Sequence, residues 1–501
     1  MPSLQCALLA AGTAAFVLVP SRAEIDDSIR GAPSPANHFI ETPEGWVHPM
    51  TPWGEPDIRA KLDMMQASRV PLERCADSYA GRRSPTFLFG DAGPTAGGAR
   101  IVRECDPGKA WLTQEEYDAQ IAAWRNGVDP SRLALREGQL GDALRTGITD
   151  PNMPQRQTNL IVDPPDGMLP ALTAEAKRRA LEMRSSWALP GENHAYDWVT
   201  DFDTWDRCIT RGMPSSMMPY RYNGGFFIEQ APGYVIFRLE MIHEARIIPT
   251  TPVEQLPPEI KQWMGHSRGR WEGTTLVVET TNYQEGPPMI NLAVVGSPPG
   301  NRFPISDRMK TTERIVRLND DTWLYEITTE DPVILTDKFT VRYPMRHNPE
   351  YLMPEYACHE GNTIVRNYTE TSRYERANPT PEPPQEPVQV GPELAKKLAG
   401  RWVGRPPIVT IDVDVEIEFT DNGDGTVNAK LIGTNLGEIN KPLREFRYGR
   451  DERLGRDVMS FTFPNVDPWR FQGEITADGT ISGVVNSSQG GLPITFRPVR
   501  R

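Results

Sequence analysis

Apolar and polar positions change period along the chain. From Glu24 to about Thr200 there is little strand alternation, and Pro and Gly interrupt the sequence repeatedly. Two stretches carry helical signals. Thr113 with Glu116 forms a capping box, which predicts a helix over residues 114–125 with Gly127 as its stop. Leu172, Ala176, Ala180 and Met183 recur near the helical period and predict a second helix over 172–185. The remainder lacks the apolar mass for a core of its own, so this segment is expected to wrap over another unit.

From Trp205 to Glu375 the period becomes two. Residues 234–247 read as one strand. Val235, Phe237, Leu239, Met241, His243, Ala245 and Ile247 lie on one face, with Tyr234, Ile236, Arg238, Glu240, Ile242, Glu244 and Arg246 on the other. Further strands are expected at 274–281, 310–318, 323–329, 339–343 and 355–359, with Asn319-Asp320-Asp321 turning a hairpin. Residues 377–392 are rich in proline and read as an extended linker. Beyond it, Val409 to Phe419 alternates without fault, and residues 421–425 turn the chain into a second series of strands. That turn lacks the terminal bidentate Glu of a calcium loop and reads as a hairpin. The fold class is therefore mainly β: a central antiparallel β-barrel wrapped by an irregular N-terminal segment with a few helices, plus a smaller C-terminal β-barrel. The expected divisions are 1–23 signal peptide, 24–204 wrap, 205–376 central barrel, 377–392 linker and 393–501 second barrel.

A length of 501 residues exceeds what one core supports. The net charge of −13 argues against nucleic acid or an anionic membrane as partner, since both need a basic face. The apolar run 6–20, followed by Ser21-Arg22-Ala23 and an acidic stretch, reads as an export signal cleaved near Ala23. No Lys or Arg precedes the run. The run is too short to span a bilayer and no other segment approaches its length, so no stable membrane insertion is expected, and the protein is expected to be periplasmic or secreted. Removing the leader leaves Cys75, Cys105, Cys208 and Cys358, which allow three pairings. Cys75–Cys105 and Cys208–Cys358 is preferred, because each pair then lies within one segment.

Leu398-Ala-Gly400-Arg-Trp402-Val-Gly404 resembles the opening strand of lipocalin-like accessory domains at the ends of exported bacterial enzymes. The resemblance implies a cation–π stack of Arg497 on Trp402 at the barrel floor. Residues 51–375 look like a large family of exported bacterial proteins of unassigned activity. The motifs are Gly54-Glu-Pro-Asp57, Val162-Asp-Pro-Pro-Asp-Gly167, Trp205-Asp-Arg-Cys-Ile-Thr-Arg-Gly212, His243-Glu-Ala-Arg-Ile-Ile-Pro249, Ser267-Arg-Gly-Arg-Trp-Glu-Gly273 and Tyr356-Ala-Cys-His-Glu-Gly-Asn362. That resemblance implies one unit and no mechanism.

Of seven histidines, two precede Glu directly: His243-Glu244 and His359-Glu360. These four, with Arg246, are the candidate catalytic residues, on the expectation that the two dipeptides meet at one mouth of the barrel. Arg238, Glu240, His266, Arg268, Trp271 and Tyr356 are the candidate ligand contacts. Three readings stand: a divalent metal held by the histidines, which no HExxH spacing favours; a metal-free acid–base pair; or a structural salt-bridge lattice across strands. No cofactor is assigned. The methionines of 205–219 read as core filler or as the wall of an aromatic or terpenoid pocket. No nucleophile elbow, phosphate loop or dinucleotide fingerprint appears. The expectation is an exported protein that binds a small, partly apolar molecule in the central barrel and acts on it by acid–base chemistry, as a lyase, isomerase or hydrolase. The alternative is a non-catalytic periplasmic binding or envelope-scaffold protein. The oligomeric state stays open.

Overall fold

The computed structural model describes residues 39–67, 70, 72, 110–126, 155–167, 169–182, 195–219, 223–285, 290–291, 302–378, 385–405, 414–434, 437–464, 469–487 and 490–499. The leader and Cys75 and Cys105 lie outside them.

The central sheet is built from β1 (Ala60–Asp63), β2 (Ile161–Asp163), β3 (Gly225–Ala231), β4 (Tyr234–Leu239), β5 (Ala245–Pro249), β6 (His266–Glu272) and β7 (Thr275–Thr281). A small separate pair, β8 (Ile290–Asn291) and β9 (Arg302–Phe303), precedes β10 (Lys310–Arg317), β11 (Thr322–Glu330) and β12 (Phe339–His347). The strand order is β5-β4-β3-β1-β12-β11-β10-β7-β6, antiparallel throughout, and β2 also pairs with β12. The two edges approach each other: a side chain at Gly269 of β6 would meet Ile248 of β5 at 3.0 Å. The sheet is therefore nearly closed into a barrel, with an interior of Phe226, Phe237, Ile315, Tyr325, Val341 and Tyr343. Met213, Met217 and Met218 are fully buried in the same core, and Tyr343 Oη donates to the Met217 carbonyl at 2.5 Å. These methionines fill the barrel end.

Four expectations change. Residues 234–247 are not one strand. The chain breaks after Leu239 into a short turn, and Phe237 then pairs with Arg246 across the β4–β5 hairpin. The break shifts the parity: Val235, Phe237 and Leu239 point inward on β4, but Arg246 and Ile248 point inward on β5, leaving Ile247 66 % exposed. Residues 355–359 form loop and turn rather than strand. The barrel is not confined to 205–376, because β1 sits between β3 and β12 with Leu62 fully buried. A run as short as Ala-Lys-Leu-Asp cannot show alternation by itself. Finally, residues 377–392 are not all linker, since Val388–Gln389 is a strand of the second barrel and Pro392 opens a helix.

The helices are α1 (Gln114–Asn126), α2 (Ala174–Glu182), α3 (Ile364–Ala377) and α4 (Pro392–Leu398). The α1 capping box is formed: Thr113 N–H donates to Glu116 at 2.7 Å and Glu116 N–H to the Thr113 hydroxyl at 3.2 Å. Among the described residues no helix is long and apolar enough to cross a membrane.

The second barrel comprises β13 (Val388–Gln389), β14 (Gly400–Gly404), β15 (Val415–Asp421), β16 (Thr426–Thr434), β17 (Gly437–Pro442), β18 (Arg444–Asp451), β19 (Arg456–Thr462), β20 (Arg470–Ile475), β21 (Ile481–Ser487) and β22 (Gly490–Pro498). Ile417, Phe419, Leu431, Phe461, Phe471 and Phe496 make its core. The expected Arg497–Trp402 stack is not formed. Arg497 is the register partner of Val403, so it shares the face opposite Trp402 and is exposed. The Trp402 ring instead meets Phe419 edge-on at 6.4 Å, and its Nε1–H donates to the Leu398 carbonyl at 2.7 Å.

Candidate functional site

The break between β4 and β5 gathers chemistry at one end of the central barrel. Leu239 N–H donates to the Glu244 carbonyl at 2.8 Å and closes the hairpin. Inside it, Ile242 (φ 60°) and His243 (φ 53°) are both left-handed, a conformation that is costly for a β-branched residue. Side-chain and backbone anchors hold it. Glu240 N–H donates to the Gly225 carbonyl at 2.9 Å, and Tyr356 N–H donates to His243 Nε2 at 2.8 Å. With Nε2 accepting, a neutral His243 carries its proton on Nδ1.

Glu244 turns to the other side, where its Oε2 accepts the Ser216 hydroxyl at 2.8 Å. Burial pushes the Glu244 carboxyl up; the hydroxyls of Thr210 and Ser216 and the charge of Arg246 oppose that shift.

Glu240 is buried at the start of the turn. It accepts Asn223 Nδ2 at 2.8 Å, Gly225 N–H at 3.2 Å and the Tyr351 hydroxyl. Asp63 at the end of β1 lies across the ladder from Gly225. The residue is 1 % exposed; Oδ1 accepts Met65 N–H at 2.8 Å, and Oδ2 has no hydrogen-bond partner among the described residues. Burial, aided by the nearby Glu240 charge, pushes the Asp63 carboxyl up to about 6. Burial and the Glu240 acceptor likewise push the Tyr351 phenol up. Met65, Phe227 and Tyr351 form an apolar cluster beside these groups, with Met353 packed on it.

Arg246 points into the barrel. It forms a two-pronged pair with Glu313 (Nη1–Oε1 2.8 Å, Nη2–Oε2 2.5 Å) and also donates to the Ser267 hydroxyl at 3.0 Å. The Tyr325 hydroxyl donates to Glu313 at 2.7 Å. Burial opposes the Arg246 charge, and the Glu313 carboxylate more than restores it. A second buried pair, Arg342 with Glu326, sits on the opposite face of β11 and β12.

Glu240, His243, Glu244 and Tyr356 thus gather at the turn, with Arg246 inside the barrel next to Glu244. His359 and Glu360 follow Cys358, which is disulfide-bonded to Cys208. Both side chains are exposed and make no hydrogen bond or ion pair among the described residues. Arg238 lies on the outer face, paired with Glu229 at 2.9 Å. His266 and Arg268 share the outer face of β6, whereas Trp271 packs against the barrel core. Buried Nδ1 of His266, Nε of Arg268 and Nε1 of Trp271 make no hydrogen bond among the described residues. Burial, with the Arg268 charge, lowers the His266 imidazole.

The sequence reading missed Asp63, Ser216, Asn223 and Tyr351. Tyr351 lies in coil with no periodic neighbours, and Asp63 ends a strand of four residues, so only coordinates bring them to Glu240. Among the described residues no three His, Cys, Asp or Glu side chains gather as a metal ion would need. The turn is suited to moving protons: it holds an imidazole with one ring nitrogen fixed, and the adjacent Glu244 carboxyl is raised by burial. A separate groove of about 550 Å³ lies on the second barrel beside Val403, Arg405 and Arg497, and shares no residue with the turn. Its lining sets Thr495, Arg405 and Arg497 among apolar side chains, and Arg405 is already bound to Asp414 at 2.7 and 2.8 Å. The chain matches no family model, no curated protein and no solved structure.

Proposed function

We propose that the β4–β5 end of the central barrel binds a small, partly apolar molecule outside the cytoplasm and moves a proton on it, with His243 and Glu244 as the acid–base pair. The observation that carries this reading is the turn itself. It holds Glu240, His243 and Glu244 within five residues, in a left-handed backbone conformation that costs free energy at Ile242 and turns the His243 ring to the Tyr356 N–H. The exposed imidazole is oriented through one nitrogen and leaves the other for a substrate. Glu244, raised by burial and capped by the Ser216 hydroxyl, exchanges its proton nearer neutral pH than an exposed carboxylate would. Met65, Phe227 and Met353 supply apolar surface close by. A lyase, isomerase or hydrolase reaction fits such a pair.

The alternative, a non-catalytic binding or scaffold protein, draws on Arg246. It pairs with Glu313 and Ser267, and the Tyr325 hydroxyl donates to the same Glu313, a network that needs no ligand. Incubation of the purified protein with a small-molecule extract of its own cells in D2O separates the two. The catalytic reading expects a compound that gains deuterium or changes mass with the wild type and not with His243→Gln of unchanged melting temperature. A full set of unchanged compounds would leave the scaffold reading.

A further inference from the structure

Residues 348–362 form a strap across the outer face of β1, β3 and the β4–β5 turn. Asn348 N–H donates to the Lys61 carbonyl at 2.9 Å, and Lys61 Nζ donates to the carbonyls of Pro349 and Tyr351 at 3.0 and 3.3 Å. The Tyr351 hydroxyl donates to Glu240, and Tyr356 N–H holds His243. The strap ends in the Cys358–Cys208 bond and in Asn362, whose Nδ2 donates to the Asp206 carbonyl at 2.9 Å. One carboxylate, Glu240, therefore fastens both the strap and the turn that the strap orients.

Asp63 is the unbalanced member of this contact. Among the described residues Glu240 has three donors, but Asp63 has one, and its second oxygen meets none. The fit around the two carboxyls is tight: a side chain at Gly225 would meet Glu240 Oε2 at 2.7 Å and Tyr351 Cε1 at 2.8 Å, and one at Gly224 would meet Asp63 Oδ1 at 3.3 Å. Among the described residues no cation bonds to either carboxyl. On β1, the Lys61 ammonium is committed to strap carbonyls. On β3 and β4, Glu229 and Arg238 neutralise each other on the outer face. On β12, Arg346 is the exposed register partner of Asp63, and His347 Nδ1 bonds to the Lys61 backbone. The strap adds the phenol of Tyr351 and the exposed Glu350, and the turn adds His243 and Glu244.

We propose that Asp63 and Glu240 are positioning residues for His243, and that the strap and turn stay closed while Asp63 carries its proton and are released when it loses it. An ionised Asp63 side chain buried beside Glu240 requires water, and water reaches it when Tyr351 swings away. Release of Tyr351 loosens Tyr356 and frees His243 Nε2. The inference rests on the acid–base reading of His243, but its test needs no substrate.

Hydrogen exchange of strap peptides, corrected for the intrinsic pH dependence of exchange, reads the closed state. Protection over residues 348–357 is expected to fall at least tenfold between pH 5 and pH 7.5 in the wild type. It should stay level in Asp63→Asn, and be low at every pH in Tyr351→Phe. Glu240→Gln, which removes the other charge, should also abolish the pH step and serves should Asp63→Asn fold poorly. The His243 ring signal in protein carrying carbon-13 histidine, identified by its loss in His243→Gln, should move through the same pH step and lose it in Asp63→Asn. Wild-type protection that does not vary with pH, or that falls equally in Asp63→Asn and Glu240→Gln, overturns the inference. Loss of the deuterium-incorporation result with the pH step intact would sink the catalytic reading alone.

Discussion

Replacing Asp63 by Asn should stabilise the central barrel at neutral pH and leave it nearly unchanged in acid. The carboxyl is raised from 3.8 to about 6, mainly by burial, so its folded form binds the proton more tightly than the unfolded chain does. Between those values the folded state holds more protons than the unfolded state, and stability falls as pH rises. The cost of ionising Asp63 is absent below about pH 4 and complete above about pH 7. Roughly two pH units at about 1.4 kcal/mol each give about 3 kcal/mol. Asn keeps an oxygen for Met65 N–H and carries no charge, and its amide nitrogen places a donor where Oδ2 has no partner. The difference in unfolding free energy between variant and wild type should thus grow from near zero at pH 4 to about 3 kcal/mol at pH 7.5. Urea unfolding at several pH values, followed by tryptophan fluorescence, measures it. The second barrel contains neither carboxyl, so its transition should respond equally in both proteins and serves as an internal reference. Parallel stability curves for the two proteins would refute the assignment of a raised carboxyl at Asp63.

Three other outcomes follow from the same contacts. Arg246→Met should cost about 3–5 kcal/mol, because it strands Glu313 inside the barrel, and Arg246→Met with Glu313→Leu should recover much of that loss; a double-mutant cycle by chemical denaturation reads the coupling. Ser216→Ala should cost about 1–3 kcal/mol by removing the donor to Glu244, and should raise the Glu244 carboxyl further, which infrared titration of the carboxyl band detects. Reducing Cys208–Cys358, which spans 150 residues, should remove up to about 5 kcal/mol on the chain-entropy account; melting with and without reductant, against Cys208→Ser with Cys358→Ser, measures it.

Much of the barrel was legible because its strands alternate. The hairpin of β10 and β11 and the capping box of α1 stand where the pattern put them, since each is decided by residues close in sequence. The continuous strand over 234–247 failed for a physical reason. Its alternation is unbroken, but the chain reverses at Ile242 and His243 through left-handed backbone, and neither residue type announces that conformation. The reversal turned Arg246 inward, where it meets Glu313, and turned Ile247 outward. β1 was invisible because four residues carry no period. For the site, His243, Glu244 and Tyr356 were legible as chemistry-bearing types near strand ends. Asp63 and Tyr351 were not, since their significance lies in being brought to Glu240 from positions distant in sequence, and no local pattern encodes that.

The same reversal explains why the acid groups sit where they do. A strand running on from Leu239 would place Glu240 and Glu244 on one face, one strand repeat from solvent, where neither carboxyl would be perturbed. The turn instead sends Glu240 toward β1 and β3, and Glu244 toward Ser216, with His243 between them. Each carboxyl is thereby desolvated against a different part of the chain. Only Glu240 receives a full set of donors, so the penalty falls on Asp63 and Glu244, the two groups raised toward neutrality. A backbone that pays for two left-handed residues to produce this division has concentrated its least stable electrostatics at one end of an otherwise well-packed barrel. The strap that carries Tyr351 and Tyr356 is tied at its far end by Cys208–Cys358, and that covalent bond limits how far both residues can move.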